Sequence, residues 1–132
     1  MSTKNIMIVG VGGQGTLLAS RILGNAVISQ GYDVKVSEVH GMSQRGGSVV
    51  TYVKYGTQVH SPIIGKGEAD IVLAFETLEA YRALPYLKEG GYFLTSGIID
   101  DRAEEVAAAL RSAGWEILET NSNEGWYSFL CR

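Results

Sequence analysis

The chain has few of the residues that staple or ligate. It has 132 residues and one cysteine, Cys131, so an internal disulfide is excluded and the thiol suits a reducing compartment. Its two histidines, His40 and His60, lie far apart in sequence. With one thiol they do not compose a zinc site. No apolar run approaches the ~18 residues of a membrane helix. The opening Met1-Ser2-Thr3-Lys4-Asn5 leads straight into an apolar strand, so no secretory leader is expected. Basic charge is lacking too: 11 Lys and Arg stand against 14 Asp and Glu, a net charge of −3, which argues against general nucleic-acid binding. The expectation is a cytoplasmic protein with neither a membrane nor a nucleic-acid partner.

Glycine, in contrast, is abundant. There are 17 glycines, nearly twice the usual ~7 %, so several turns need unusual backbone angles. The length fits a single domain, 1–132, able to bury a core without metal or disulfide. Charge is uneven along it. Residues 1–99 carry 8 basic and 7 acidic side chains, whereas residues 100–132 carry 3 and 7. The last third differs in character from the rest.

The most informative stretch is Ile6-Met7-Ile8-Val9 running into Gly10-x-Gly12-Gly13-Gln14-Gly15. It reads as a buried strand, a tight glycine turn and a helix start, the entry of a nucleotide-type α/β domain. Two readings stay open for Gly10, Gly12, Gly13, Gln14 and Gly15. They cradle a phosphate at the helix N-terminus, or they only permit the turn. Glu38 sits where a dinucleotide fold grips ribose hydroxyls, and equally where a strand simply ends in solvent.

Periodicity places the other elements. Asn5–Val9 is a strand. Gln14 to about Gln30 is a helix with Leu18, Ile22, Leu23, Ala26 and Val27 as its inward stripe, stopped by Gly31. Tyr32–Val39 is a second strand, joined to the first by a crossover within a parallel sheet. His40-Gly41-Met42-Ser43-Gln44-Arg45-Gly46-Gly47 is a polar loop, the best candidate for partner or substrate contact. In it Arg45 offers a bidentate grip on a carboxylate or phosphate, and His40 titrates near neutrality. Ser48–Tyr55, a Gly56-Thr57 turn and Gln58–Ser61 read as a central hairpin or meander.

Ala69–Phe75 is a buried strand. Thr77–Leu87 is a helix, kinked or shortened by Pro85 and ended by Glu89-Gly90-Gly91. Tyr92–Ile99 is a strand neighbouring Ala69–Phe75. A helix follows, with Asp101 as cap, Glu104 three residues on and Ala103, Val106, Leu110 and Ala113 inward, closed by Gly114. Trp115–Glu119 and Trp126–Cys131 form a terminal antiparallel hairpin around residues 121–125. Trp115, Trp126, Tyr127 and Phe129 read as core or hairpin-face residues, Cys131 as a buried small side chain, and His60 as a loop residue. Asp100, Asp101, Glu104 and Glu105 are helix-start charges, and no metal cluster is expected. No residue pair makes a nucleophile with its base. The predicted fold is a three-layer, Rossmann-like α/β domain: a mostly parallel sheet with helices on both faces, a central β-hairpin or meander and a C-terminal antiparallel hairpin.

Three motifs carry a resemblance. Gly10-Val-Gly-Gly-Gln-Gly15, Ser37-Glu-Val-His-Gly-Met-Ser-Gln-Arg-Gly-Gly47 and Ala69-Asp-Ile-Val-Leu-Ala-Phe-Glu76 resemble the gamma-type domain of 2-oxoacid:ferredoxin oxidoreductases, in particular the beta subunit of indolepyruvate ferredoxin oxidoreductases, over residues 5–87. The resemblance implies a partner subunit that holds thiamine diphosphate and iron–sulfur clusters, with no cofactor in this chain alone. Together such subunits decarboxylate a 2-oxo acid oxidatively to an acyl-coenzyme A and reduce ferredoxin. From about Lys88 to Arg132, the stretch beginning Gly90-Gly-Tyr-Phe-Leu-Thr-Ser-Gly-Ile-Ile-Asp-Asp-Arg-Ala-Glu-Glu105 resembles the C-terminal end of class I methyltransferases that modify ribosomal proteins. Two methyltransferase features are missing. The first strand has no acid before its loop, and Ala74-Phe75-Glu76 stands where an Asn/Asp-centred motif belongs.

The leading expectation is therefore an engineered or recombined chimeric scaffold, joined near 88–92 and without catalysis of its own. A natural or truncated oxidoreductase subunit is the alternative. A domain binding S-adenosylmethionine is the third reading.

Overall fold

The computed structural model describes residues 3–12, 15–40 and 47–132. In chain order the elements are β1 (Lys4–Val11), α1 (Thr16–Ser29), β2 (Asp33–His40), β3 (Ser48–Gly56), β4 (Ala69–Ala74) and α2 (Thr77–Ala83). A 3₁₀ turn (Leu84–Tyr86), β5 (Leu87–Ile99), α3 (Asp100–Ser112), β6 (Ile117–Asn123) and β7 (Trp126–Cys131) follow. The strands form one seven-stranded sheet in the order β2-β3-β1-β4-β5-β7-β6.

Alternation along the strands divides the apolar residues between two faces. Ile6 and Ile8 of β1 join Val53 of β3 and pack with Ala19 and Leu23 of α1. Met7 and Val9 point the other way, into a cluster with Val72, Phe93 and Phe129, covered by Ala80 and Ala83 of α2 and Ala103 and Ala107 of α3. Ile8, Val53 and Val72 are almost fully buried, each stabilising the fold by about 1.5–3 kcal/mol. This is the three-layer arrangement expected, with helices on both faces.

The sheet is not mostly parallel. Only β1–β4 and β4–β5 pair parallel. The β1–β3, β2–β3, β5–β7 and β6–β7 pairs are antiparallel. The reason is β3. The β1-α1-β2 crossover leaves a one-strand gap, and β3 returns into it between β1 and β2. The central hairpin is thus β2–β3 itself, and residues 58–61 add no strand to it.

Other expectations shift for local reasons. In α1 the buried positions are Thr16, Ser20, Gly24 and Val27, while Leu18 and Ile22 are each 62 % exposed. A small-residue face lets the helix sit close to the sheet, with Gly24 against Val36 of β2. Pro85 ends α2 after Ala83, and its ring suits the 3₁₀ turn that follows. Gly90 and Gly91 do not end a helix. They lie inside β5, at the register shift between Ala69 and Ile71 of β4. α3 starts after Ile99 without a side-chain cap, leaving Asp101 in its first turn. In α3 Val106 and Leu110 are half-buried and Ala113 is exposed. The terminal hairpin forms as expected with a tighter turn, Glu124-Gly125. Cys131 and Phe129 are buried in it, and Trp126 is 55 % exposed.

One carboxylate ties the parallel strands together at their N-terminal end. Asp70 Oδ2 of β4 accepts the Asn5 amide of β1 at 2.8 Å. Its Oδ1 lies 2.5 Å from Lys88 Nζ of β5. Burial pushes the Asp70 pKa up, but the Lys88 ammonium and the Asn5 amide outweigh it and hold the carboxyl below its ordinary value. A lowered folded pKa means the contribution is complete above the unfolded value of ~3.9 and is lost as pH falls below it. Asp70→Ala should cost roughly 1–3 kcal/mol at pH 7, and urea midpoints should show that deficit closing between about pH 5 and pH 3. Gly91 is held by a close approach: a Cβ there would lie 2.7 Å from Leu87 Cδ1 and 3.0 Å from the Asp70 and Lys88 carbonyl oxygens. Gly91→Ala should lower stability by about 1–3 kcal/mol in the same assay.

Candidate functional site at the glycine turn

α1 leaves β1 over one face and α2 leaves β4 over the other, so the chain parts beyond the C-terminal ends of these adjacent parallel strands, the position at which open α/β sheets hold ligands. Gly10 is buried at the end of β1. Gly15 forms the N-cap of α1 at φ +84°, a left-handed conformation that glycine enters without steric cost. No side chain caps α1 and no acid lies in its first turn. Its first amides, at Thr16, Leu17 and Leu18, therefore keep their positive end for an anion. Gly13 and Gln14 lie outside the described residues.

The polar loop is brought to this same end. The Gly12 amide donates to the Gly47 carbonyl at 3.0 Å, and Val11 pairs with Ser48 in the β1–β3 register. His40 closes β2 opposite Val49, so both ends of the 41–46 segment are set beside the glycine turn. Gly41, Met42, Ser43, Gln44, Arg45 and Gly46 lie outside the described residues. Glu38 is half-buried on β2 opposite Thr51. β3 separates it from β1, which sets it one strand further from the glycine turn than in an uninterrupted parallel sheet.

One group of polar side chains escaped the sequence reading. Ser48 Oγ donates to Glu79 Oε1 at 2.5 Å. Arg82 Nη1 donates to the same oxygen at 2.8 Å and to Ser48 Oγ at 3.1 Å. Glu79 is only 4 % exposed, and these two donors supply hydrogen bonds to its buried oxygen. Glu76 caps α2, its Oε2 accepting the Glu79 amide at 2.8 Å. The Ser48 proton and the Arg82 charge meet one carboxylate oxygen, an arrangement that straps the start of β3 to α2. Arg82 itself is largely exposed and presents the rest of its guanidinium outward. An i,i+3 Glu79–Arg82 pair was visible in the sequence; its link to Ser48, 31 residues away, was not. The chemistry on hand is anion recognition. With one cysteine the chain does not supply the thiolates an iron–sulfur cluster needs, and among the described residues no group of three or more His, Cys, Asp and Glu is placed to hold a metal.

Comparison with known proteins decides the lineage. The profile of the pyruvate ferredoxin/flavodoxin oxidoreductase family matches residues 5–125. The chain belongs to this family. It is 51 % identical over 96 residues to the indolepyruvate oxidoreductase subunit IorB of Pyrococcus horikoshii, a match covering 73 % of this chain and 48 % of that protein. It thus spans about half the length of such relatives. The gamma subunit of a keto/oxoacid ferredoxin oxidoreductase from Geobacter sulfurreducens PCA superposes with a TM-score of 0.53 at 30 % identity, covering 67 % of this chain and 47 % of that one. A ribosomal protein L11 methyltransferase from Bacillus velezensis is 41 % identical over 76 residues, 58 % of this chain and 23 % of its own. Both expected resemblances are therefore found. Stretches of 96 and 76 residues cannot be disjoint in a chain of 132, and the family profile runs across residues 88–92.

The Ser48 strap can be tested by substitution. Glu79→Ala leaves Ser48 and Arg82 without their acceptor and should cost roughly 1–3 kcal/mol in chemical denaturation. Arg82→Lys keeps the charge and should cost less than half as much.

Proposed function

We propose that the chain serves as the subunit without thiamine diphosphate in an indolepyruvate-type 2-oxoacid:ferredoxin oxidoreductase. In the whole enzyme an aryl pyruvate loses its carboxylate as carbon dioxide, the acyl group passes to coenzyme A and the electrons pass to ferredoxin. Thiamine diphosphate and iron–sulfur clusters belong to the partner subunit. The observation that carries this reading is the Gly12–Gly47 hydrogen bond. It joins two of the three family motifs into one surface, with the α1 amides on one side and the Arg82 guanidinium on the other. Such a surface suits the phosphates of coenzyme A or the partner's active-site rim. Among the described residues it offers hydrogen-bond donors and a cation that suit binding. Exposed Leu18 and Ile22 on α1 are apolar groups that a partner subunit would cover.

The test is reconstitution with a thiamine-diphosphate and iron–sulfur subunit of an indolepyruvate ferredoxin oxidoreductase. The expected result is one complex on gel filtration and aryl-pyruvate-dependent, coenzyme-A-dependent reduction of ferredoxin or a viologen dye. No co-migration at about 10 µM of each chain would overturn the reading.

A second reading rests on the methyltransferase likeness, which reaches 41 % identity over a stretch overlapping the oxidoreductase match. In it the chain is a recombined or engineered scaffold from two lineages, joined near 88–92. Calorimetry separates the possibilities. Coenzyme A binding with a Kd below about 1 mM fits the subunit, S-adenosylmethionine binding of that strength fits a methyltransferase-like domain, and neither fits an inert scaffold.

A further inference from the structure

A pocket of ≈ 290 Å³ lies between α2 and α3, on the flank of α2 away from the Ser48 strap. Its floor is Phe93 and Thr95 of β5, and Trp115 closes one end. The Phe93 and Trp115 rings stand 5.3 Å apart, tilted by 52°, an aromatic corner already built. Ala80 of α2, Ala109 of α3 and Ala113 at the α3 C-cap all line the space. These are the positions where larger aliphatic side chains would fill it. A cavity of ~150 Å³ lined by aliphatic and aromatic groups admits benzene, so this one has space for two fused rings.

The lining is mostly apolar, with Tyr81, Thr95, Arg102 and Glu105 as its polar side chains besides the Trp115 indole. Arg102 Nε donates to Glu105 Oε2 at 2.8 Å, and Nη2 lies 3.4 Å from Oε1. This leaves Nη1 without a hydrogen-bond partner among the described residues. Both side chains are exposed, so the ion pair itself adds little stability. The carboxylate at the rim, and the excess of acid over base in residues 100–132, disfavour an anionic guest. An acceptor atom on a neutral ring meets a guanidinium N–H without that penalty.

We propose that this pocket binds a small, neutral, planar aromatic molecule of one or two rings, with an acceptor atom turned toward Arg102. The site is separate from the glycine turn and does not depend on the oxidoreductase reading.

Quinoline, neutral at pH 7 with one ring acceptor, is the probe, and quinoline-2-carboxylate is its anionic counterpart. Titration of the full ¹⁵N-labelled chain should give saturable NMR shifts at the Trp115 indole N–H and the Ala80 and Ala109 amides, with a Kd on the order of 0.1–1 mM for so small a ligand. The carboxylate should bind at least about tenfold more weakly, the direction like-charge juxtaposition dictates. Ala109→Leu should abolish the quinoline shifts while keeping the native spectrum elsewhere. Ala113→Leu, at an exposed helix end, serves where Ala109→Leu does not fold. Absence of saturable shifts up to about 5 mM, shifts away from these residues, or shifts that persist in a folded filling variant would each overturn the proposal.

Discussion

The pairing of β3 against β1 is the constraint from which the working end of the molecule follows. Eight residues of β1, Lys4 to Val11, run antiparallel to Tyr55 back to Ser48. Val53 and Ile8 bury their side chains under α1 as part of that pairing. Antiparallel direction means that β3 begins where β1 ends. Gly47 therefore arrives beside Gly12, and Ser48 arrives within reach of Glu79. Had β2 lain next to β1, the end of β2 would have stood directly beside the glycine turn; β3 takes that place and brings its own start there instead. The strand that breaks the parallel pattern is thus the one that assembles the candidate site.

This explains what was legible in the amino acids and what was not. Continuous apolar runs such as Ile6–Val9 and Ile71–Ala74 mark strands buried on both faces, and the structure places them side by side. Alternation in Trp126–Cys131 marks the terminal hairpin. The insertion of β3 left no local trace, because alternation reports burial and carries no information on which neighbour a strand chooses. For α1 the periodic signal holds in part. Leu23 and Val27 of the apolar stripe turn inward, whereas Leu18 and Ile22 repeat at helical spacing and stay exposed. Thr16, Ser20 and Gly24 take the remaining inward positions. The Ser48–Glu79–Arg82 group was hidden for a third reason: its parts lie on different elements and become neighbours only through the β1–β3 register.

The region around residues 88–91 bears on the two resemblances. Asp70, from the stretch that carries the oxidoreductase motifs, takes Lys88 as its ion-pair partner. Its carbonyl oxygen would lie 3.0 Å from a Cβ at Gly91, a tight approach that favours glycine there. A sequence joined at this point is best accepted by β4 when it brings both a cation at 88 and a glycine at 91. That is a stronger demand than strand direction alone. The parallel register from Ile71 to Ala74 against Tyr92 to Thr95 is regular, which shows that the demand is met. Whatever its history, the last third is adapted to the first two.

β5 also marks where the sheet changes character. On one side it pairs parallel with β4, and on the other antiparallel with β7. Beyond it the helix-covered face depends on α3, whose buried positions are only Ala103 and Ala107. Small contact residues hold that helix near the sheet without filling the space toward α2, so Val106 and Leu110 stay half-buried and the Phe93–Trp115 corner remains open. The two ends of α2 thus face different chemistry. Toward β3 it carries the Ser48–Glu79–Arg82 strap, and toward α3 it borders a mostly apolar pocket. A charge brought into the pocket toward α3 would find its one rim guanidinium already engaged by Glu105, whereas a neutral ring carries no such desolvation cost.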